Sequence, residues 1–226
     1  MGYKLITVNG GHSGKAPGAG AFGYKEHEYA RMIKDKVIAR LKSVGVKAED
    51  TTSNASTPSA VLAEQAKKCN AQPKSGRLDV SIHLNSGGGT GCEVLYYSEK
   101  ALATKVSEAI AEVAGWKNRG AKERKELYFL RHTSAPAILI EVCFIDSKDN
   151  MKKINAKMND IANAIVKAIT GKSVHVSKPA PKPSEKDDNK DSLYKVQTGA
   201  FKDNANAEKL GKELKKKGIS MYITKK

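Results

Sequence analysis

An uninterrupted apolar segment, AILIEVCF at residues 137–144, constrains the fold of this chain more than any other stretch. Continuous β-branched and aliphatic residues are typical of a central strand that is buried on both faces, as in a parallel sheet. Glu141 interrupts the segment, and a glutamate is rarely buried unless another group pairs with it. We therefore predict a central strand in which Glu141 meets a cation near the strand's carboxyl end.

Two other predicted strands end in a side chain that is able to bind metal. Residues 4–8 form a short apolar strand that runs into a Gly-Gly-His sequence ending at His12. Residues 78–83 form another, and its last residue is His83. Ligands bind at the carboxyl edge of open α/β sheets, so we expect both histidines and Glu141 to lie near one another.

Segments with helical periodicity alternate with these strands, which predicts an α/β domain over residues 1–171. We expect a mostly parallel, twisted sheet flanked by helices, then a Pro-rich and charged linker at 172–191, and a small βαβ half-module at 192–226. The other predicted elements are helices at about 25–43, 57–70, 99–115, 147–170 and 205–217, strands at 46–52, 92–97, 127–130, 194–201 and 219–224, and a loop at 116–126.

The composition excludes several classes of protein. Three cysteines without a CxxC spacing argue against a disulfide framework and a cysteine-rich zinc site, so we expect reduced thiols, at least two of them buried. No apolar run approaches the ~20 residues of a transmembrane helix, and no signal-peptide pattern is present. We therefore expect a protein made in the cytoplasm without a signal peptide, and no transmembrane segment.

The net charge of +16 indicates an anionic partner. Nucleic acid, an anionic membrane and an anionic cell-wall polymer all meet that requirement. The excess charge is spread along the chain, and no nucleic-acid recognition motif is present. We therefore expect no nucleic-acid partner, and a basic nucleic-acid-binding protein is the alternative that charge alone favours.

Two histidines and one acid match the donor set of a catalytic zinc site, which has three protein ligands and one open position. His12 and His83 supply two donors, and either Glu26 or Glu28 supplies the third. Both acids lie in the first turn of a predicted helix, where the helix dipole favours acids in any case, so position does not separate them. The remaining histidines are expected elsewhere: His27 on the helix surface, His132 in a loop near the site and His175 in the linker.

Glu141 has two interpretations. As a general base it takes a proton from a metal-bound water. As a structural residue it pairs with Arg119, Lys122 or Arg131, at a cost in desolvation. Its expected location beside two histidines favours the general base.

Several motifs follow one another in a single order along the first domain: GGH at 10–12, SIHLN at 81–85, EVLYYS at 93–98, NRGAK at 118–122, LYFLR at 127–131 and APAILIEVCFID at 135–146. With them, residues 1–170 resemble the zinc-dependent N-acetylmuramoyl-L-alanine amidases of the amidase-3 type, found in bacterial autolysins and phage endolysins. The resemblance implies a peptidoglycan hydrolase that cleaves the amide between N-acetylmuramic acid and L-alanine, and that acts on the cell wall after release or lysis. A non-catalytic peptidoglycan-binding protein is the alternative.

The resemblance also implies roles for individual residues. Zinc is expected at His12, Glu26 and His83, and Glu141 is expected to take the proton of the attacking water and return it to the leaving amine. Glu26 is preferred to the neighbouring acid because an apolar position, here Ile33, follows the family's acid by seven residues.

Three further residues, Asn85, Arg119 and Lys122, are expected from the resemblance to bind substrate. Two departures from the family pattern lie beside the ligands. Asn-Gly-Gly-His-Ser at residues 9–13 replaces Asp-Pro-Gly-His-Gly, and Ala30 stands where an Asn is common. Because neighbouring groups orient metal ligands, these changes concern the support of the ligands and not the ligands themselves.

The end of the chain, residues 192–226, resembles the first half of a sporulation-related repeat (SPOR) domain, a module associated with peptidoglycan binding, over YKVQTGAFKDNANAEKLGKELKKKG. One βαβ unit of about 35 residues has too little core to be stable alone. We therefore expect the half-module to pair with its counterpart in a second chain, which makes the protein its own partner. Packing on its own catalytic domain and a disordered remnant are the alternatives.

Overall fold

A six-stranded sheet with helices on both faces forms the first of the two units, Met1–Val176 and Ser177–Lys226, into which the chain divides. The computed structural model describes residues 2–173, 203–216 and 218. The strands are β1 (Leu5–Gly10), β2 (Gly20–Ala21), β3 (Tyr24–Lys25), β4 (Lys47–Asp50), β5 (Arg77–Asn85), β6 (Cys92–Tyr96), β7 (Asn118–Glu123) and β8 (Ala137–Phe144). The helices are α1 (Glu26–Ser43), α2 (Pro58–Asn70), α3 (Lys100–Ala114), α4 (Tyr128–His132), α5 (Lys148–Thr170) and α6 (Asn204–Lys216).

The sheet is mostly parallel, as predicted. Its strand order is β4-β1-β5-β8-β6-β7, and every neighbouring pair is parallel except β8 and β6. The bounds of β8 coincide with those of the predicted central strand. Helices α1, α3 and α5 pack on one face of the sheet, and α2 and α4 on the other.

The alternation of side chains along β8 assigns Glu141 to a face. Ile138 and Ile140 belong to the larger core with α1, α3 and α5, whereas Ala137 and Leu139 belong to a smaller cluster with α2 and α4. Because successive side chains point to opposite faces, Glu141 shares the face of Leu139. It lies beyond the last β8 residue of that cluster, toward the carboxyl edge of the sheet.

Two predictions for residues 116–130 are wrong. The loop predicted at 116–126 contains β7, and the strand predicted at 127–130 is mostly part of α4. Within the described chain β7 pairs only with β6, so it is an edge strand and its sequence, NRGAKE, needs no apolar alternation. A short apolar run suits a helix as well as a strand, and Phe129 and Leu130 bury their side chains in the smaller cluster. The β2–β3 hairpin is an element that sequence patterns did not predict.

The ends of the long helices follow the signals in the sequence. The side chain of Thr57 accepts a hydrogen bond from the backbone N–H of Ala60 at the start of α2, and Ser147 accepts one from Asn150 at the start of α5. Gly45, with a φ of 72°, follows the end of α1. Caps of this kind satisfy backbone groups that the helix itself leaves unpaired, so local sequence sets these boundaries.

A buried ion pair lies at the amino edge of the sheet. Nε of Arg77 lies 2.8 Å from Oδ1 of Asp79, and Arg77 also donates to Ser134. His132 lies at this edge, where its carbonyl accepts a hydrogen bond from Asn70. Its predicted location near the site is therefore wrong: β7 runs opposite to β8, so the segment that joins them lies at the amino end of β8.

The three cysteines are free and buried, as predicted. Among the described residues, none of the helices has both the length and the hydrophobicity that a membrane span requires.

In the second unit, α6 confirms the helix predicted at 205–217. The apolar side of α6 is half-buried and consists of Ala207, Leu210 and Leu214. Most of the predicted linker, His175 and the strands predicted at 194–201 and 219–224 lie outside the described residues.

Candidate active site

The three predicted metal ligands lie together at the carboxyl edge of the sheet. His12 follows β1, His83 lies in β5 and Glu26 opens α1. Oε1 of Glu26 is 3.2 Å from Nε2 of His12 and 3.0 Å from Nδ1 of His83. One donor atom of each residue lies within 4.8 Å of the other two. Two imidazole nitrogens and a carboxylate oxygen at this spacing form a donor set that suits a divalent cation.

The glycine-rich loop between β1 and α1 brings these side chains close. His12 has a left-handed φ of 63°, a conformation that costs about 1 kcal/mol or more for a residue with a Cβ. A Cβ on Gly11 would lie 2.2 Å from Cε1 of His83, and one on Gly18 would lie 2.5 Å from Oε2 of Glu26. Both glycines are therefore needed so that the backbone approaches the site closely.

Glu26 is buried, ionised and held at both carboxylate oxygens. The backbone N–H of Ala19 donates to Oε2 at 2.9 Å, and that of Leu84 donates to Oε1 at 3.2 Å. Burial alone raises the pKa of Glu26, but hydrogen bonds with His12 and His83 outweigh burial and hold the pKa well below its usual range. A carboxylate that stays ionised is ready to bind a cation without first losing a proton.

The second candidate acid is separate from this cluster. Glu28 is exposed and pairs with Lys25 at 3.2 Å. The prediction that His27 lies on the surface is wrong, since its side chain is only 12% exposed. The loop that leads into α1 folds back toward it, and the carbonyl of Pro17 accepts a hydrogen bond from the backbone N–H of His27.

Glu141 belongs to a row of polar side chains that crosses three strands. In the register of β8, Glu141 is opposite His83 of β5 and opposite Glu93 of β6. Residues directly opposite one another share a face of the sheet. Burial, with smaller contributions from Glu26 and Glu93, raises the pKa of Glu141 to about 7, although His83 opposes the shift. Oε2 of Glu141 has no hydrogen-bond partner among the described residues.

The interpretation of Glu141 as half of a buried ion pair is wrong. Within the described chain no ion pair joins it to Arg119, Lys122 or Arg131; Arg119 instead pairs with Glu93. The cation available to Glu141 is instead the imidazole of His83, which lies opposite it in the register of β5 and β8 and interacts with it electrostatically when protonated. Burial lowers the pKa of His83, but Glu26 and Glu141 outweigh it and raise the pKa above its usual value.

Glu93 is a site residue that sequence reasoning missed. Its Oε2 lies 2.8 Å from Nε of Arg119, and its Oε1 accepts a hydrogen bond from Nδ2 of Asn85 at 3.0 Å. The structure thus brings two of the three predicted substrate contacts together, whereas Lys122 is exposed on the edge strand β7. The available signal was a carboxylate inside the apolar strand CEVLY, the same signal that singled out Glu141.

The loop between β5 and β6 is tied to the end of β8 by two residues that were not predicted to act there. Oδ2 of Asp146 accepts hydrogen bonds of 2.7 Å from the backbone N–H groups of Gly87 and Gly88. Oδ1 of Asn150 accepts one from Gly91 at 3.1 Å. Asp146 precedes Ser147, the residue that caps α5, but its own side chain supports this loop.

The fold and the site together define a class, the α/β proteins with a metal-competent cluster at the carboxyl edge of a mostly parallel sheet. Residues 6–171 match the family model described as N-acetylmuramoyl-L-alanine amidase, and residues 185–226 match that of the SPOR domain. The chain therefore belongs to the N-acetylmuramoyl-L-alanine amidase family and is a peptidoglycan hydrolase.

Three known proteins show the extent of the similarity. The N-acetylmuramoyl-L-alanine amidase CwlM of Bacillus licheniformis is 28% identical over 96% of this chain and 83% of its own. The endolysin of Bacillus phage SPP1 is 31% identical over 89% of this chain and 77% of its own. The catalytic domain of the CD27L endolysin targeting Clostridia difficile is 28% identical, with a TM-score of 0.69 over 76% of this chain and 99% of that domain.

We expect Gly11→Ala to weaken metal binding by about tenfold or more, because the new methyl group would displace the ring of His83. Gly14→Ala is the matched control, since a Cβ at that residue meets its nearest neighbour, Nε2 of His27, only at 4.0 Å. Calorimetric titration of the metal-free proteins with Zn²⁺ measures the affinities, and circular dichroism checks the fold. Equal affinities in the two variants would contradict the placement of His83 in the metal site.

Proposed function

We propose that this chain is a zinc-dependent amidase in which His12, Glu26 and His83 hold the metal. The observation that carries the proposal is the convergence of their donor atoms to within 4.8 Å of one another at the carboxyl edge. Two imidazoles and one ionised carboxylate fit zinc and leave a coordination position open. A bound Zn²⁺ supplies a Lewis acid toward the substrate carbonyl and lowers the pKa of bound water toward ~7.

Glu141 is the proposed general base. Its register position opposite His83 and its lack of a structural ion-pair partner among the described residues support this role. Glu141 accepts the proton of the attacking water as the water oxygen bonds to the lactyl carbonyl carbon. It then gives that proton to the alanine nitrogen as the amide C–N bond breaks, so the products are a free carboxylic acid and a peptide with a new amino terminus.

Asn85, Arg119 and Lys122 are the proposed substrate contacts. Glu93 holds Asn85 and Nε of Arg119, and the guanidinium of Arg119 lies 5.0 Å from the ring centroid of Phe144. These contacts restrict the rotamers of Arg119, which reduces the entropy lost when its remaining N–H groups donate to a substrate. Lys122 is exposed on β7, in register with Leu95 of β6.

Removal of metal is expected to abolish hydrolysis, and added Zn²⁺ to restore it. Glu26→Ala should lose the metal, whereas Glu28→Ala, which removes an exposed acid from the same helical turn, should keep it. Elemental analysis of the purified proteins measures the metal, and turbidity loss of a wall suspension measures activity. Full activity in protein that contains no metal would overturn the zinc proposal.

Glu141→Gln is expected to keep the fold and the metal and to reduce kcat by about 10²–10⁴-fold, because the amide cannot accept the water's proton. Glu93→Gln is the comparison: it weakens the support of Arg119 and should act mainly on KM. Mass analysis of digested peptidoglycan measures release of stem peptides with a new N-terminal alanine. If Glu141→Gln unfolds the protein while activity per folded molecule is unchanged, Glu141 has a structural role only.

The second unit is proposed to pair two chains and to hold the enzyme on the wall. The SPOR match and the half-buried apolar side of α6 support this proposal. Two wall-binding units in one dimer would prolong residence on the polymer through effective concentration.

Sedimentation of the full chain should show a dimer at tens of micromolar, and a chain ending at Gly171 should be a monomer. If both the full chain and the shortened chain sediment as monomers, the pairing is excluded.

A further inference from the structure

A strained aromatic residue lies at the tip of the hairpin that precedes Glu26. Phe22 and Gly23 join β2 to β3, and both have a positive φ, of 51° and 82°. A two-residue turn with this backbone prefers Asn, Asp or Gly at its first position. Phe22 is unfavourable there, yet its side chain is also 54% exposed, so burial in the core does not compensate for the strain. Outliers of this kind indicate a functional constraint.

Phe22 forms one wall of an open groove with a volume of about 400 Å³. Nζ of Lys148 lies 5.2 Å from the centroid of the Phe22 ring, and Lys152 lines the groove one helical turn farther along α5. Neither lysine forms an ion pair with any residue that the structure describes. The groove is completed by Tyr24 and Asn155. It therefore combines an accessible aromatic ring with two uncompensated positive charges.

Both chain segments that form the groove leave the sheet at the carboxyl edge, where the metal-competent cluster also lies. The hairpin lies between Ala19, whose N–H donates to Glu26, and Glu26 itself. Lys148 opens α5 directly after the turn that follows β8, the strand that carries Glu141. The groove and the cluster therefore share one edge of the sheet, and an extended polymer bound along that edge would reach both.

We propose that this groove binds the carboxylate-bearing peptide arm of the substrate, with the ammonium groups of Lys148 and Lys152 pairing with carboxylates and Phe22 packing against the peptide's aliphatic atoms. This inference rests on the proposed amidase function. Charge complementarity selects the peptide: the saccharide part of peptidoglycan carries no charge when the lactyl group is in amide linkage, so two lysines would gain little from it. The strain at Phe22 is then a cost of presenting the ring to substrate.

The test uses the zinc-loaded full chain and two soluble muramoyl peptides, one with free carboxylates and one with the same carboxylates amidated. The wild-type protein is expected to show a KM about tenfold lower for the free acid. In Lys148→Gln/Lys152→Gln this preference should disappear while kcat is retained. Lys167→Gln, which removes an exposed charge near the other end of α5, is the control and should behave as wild type.

Phe22→Asn separates ligand binding from folding. Asn is favoured in this turn, so the variant should unfold at the same temperature as wild type or a higher one, while its KM rises for both substrates. A lower unfolding temperature with unchanged KM would show that Phe22 is structural and overturn its role in the groove.

The remaining outcomes discriminate between the claims. Equal KM values for the two peptides in active wild-type protein would overturn the assignment of the groove to carboxylates and leave the amidase function standing. If neither muramoyl peptide releases a stem peptide with a new N-terminal alanine, the amidase function is overturned, and the groove's role with it.

Discussion

The in-register pairing of β5 with β8 is the constraint on which the site depends. It sets His83 opposite Glu141, so a metal-competent imidazole and an acid from distant parts of the chain share one face and one level of the sheet. A shift of one residue would move one of the two to the opposite face, into the core with α1, α3 and α5. Packing opposes that shift, because a shift of β8 would place Glu141 in this larger core and move Ile138 and Ile140 out of it, to the face of α2 and α4. The register of β8 thus sets both the packing of the core and the geometry of the site.

Three carboxylates on this face have different surroundings and therefore different chemistry. Asp79 is paired with Arg77 at the amino edge, where it stabilises the junction of strands and loops. Glu93 is paired with Arg119, which keeps the arginine beside the site. Glu141 alone has an oxygen without a partner among the described residues, and burial raises its pKa to about 7. Pairing determines which acid supports the fold and which is available for proton transfer.

Local strain is concentrated in the segment between β1 and α1. His12 and Phe22 are the residues other than glycine with a positive φ in the described chain. The first brings a ligand to the metal-competent cluster, and the second presents a ring to the neighbouring groove. Both conformations cost free energy that the surrounding packing must supply, which is expected of positions selected for binding and not for stability.

The sequence by itself determined the central strand, the helix ends and the two histidines at strand ends, because each depends on residues that are adjacent in the chain. Apolar continuity defined β8, and caps such as Ser147 defined the helices. Only the tertiary structure decided which groups meet: that Arg119 pairs with Glu93 and not with Glu141, and that His132 lies at the amino edge. Those outcomes depend on strand order and on the reversed direction of β6 and β7, which result from packing across the whole sheet.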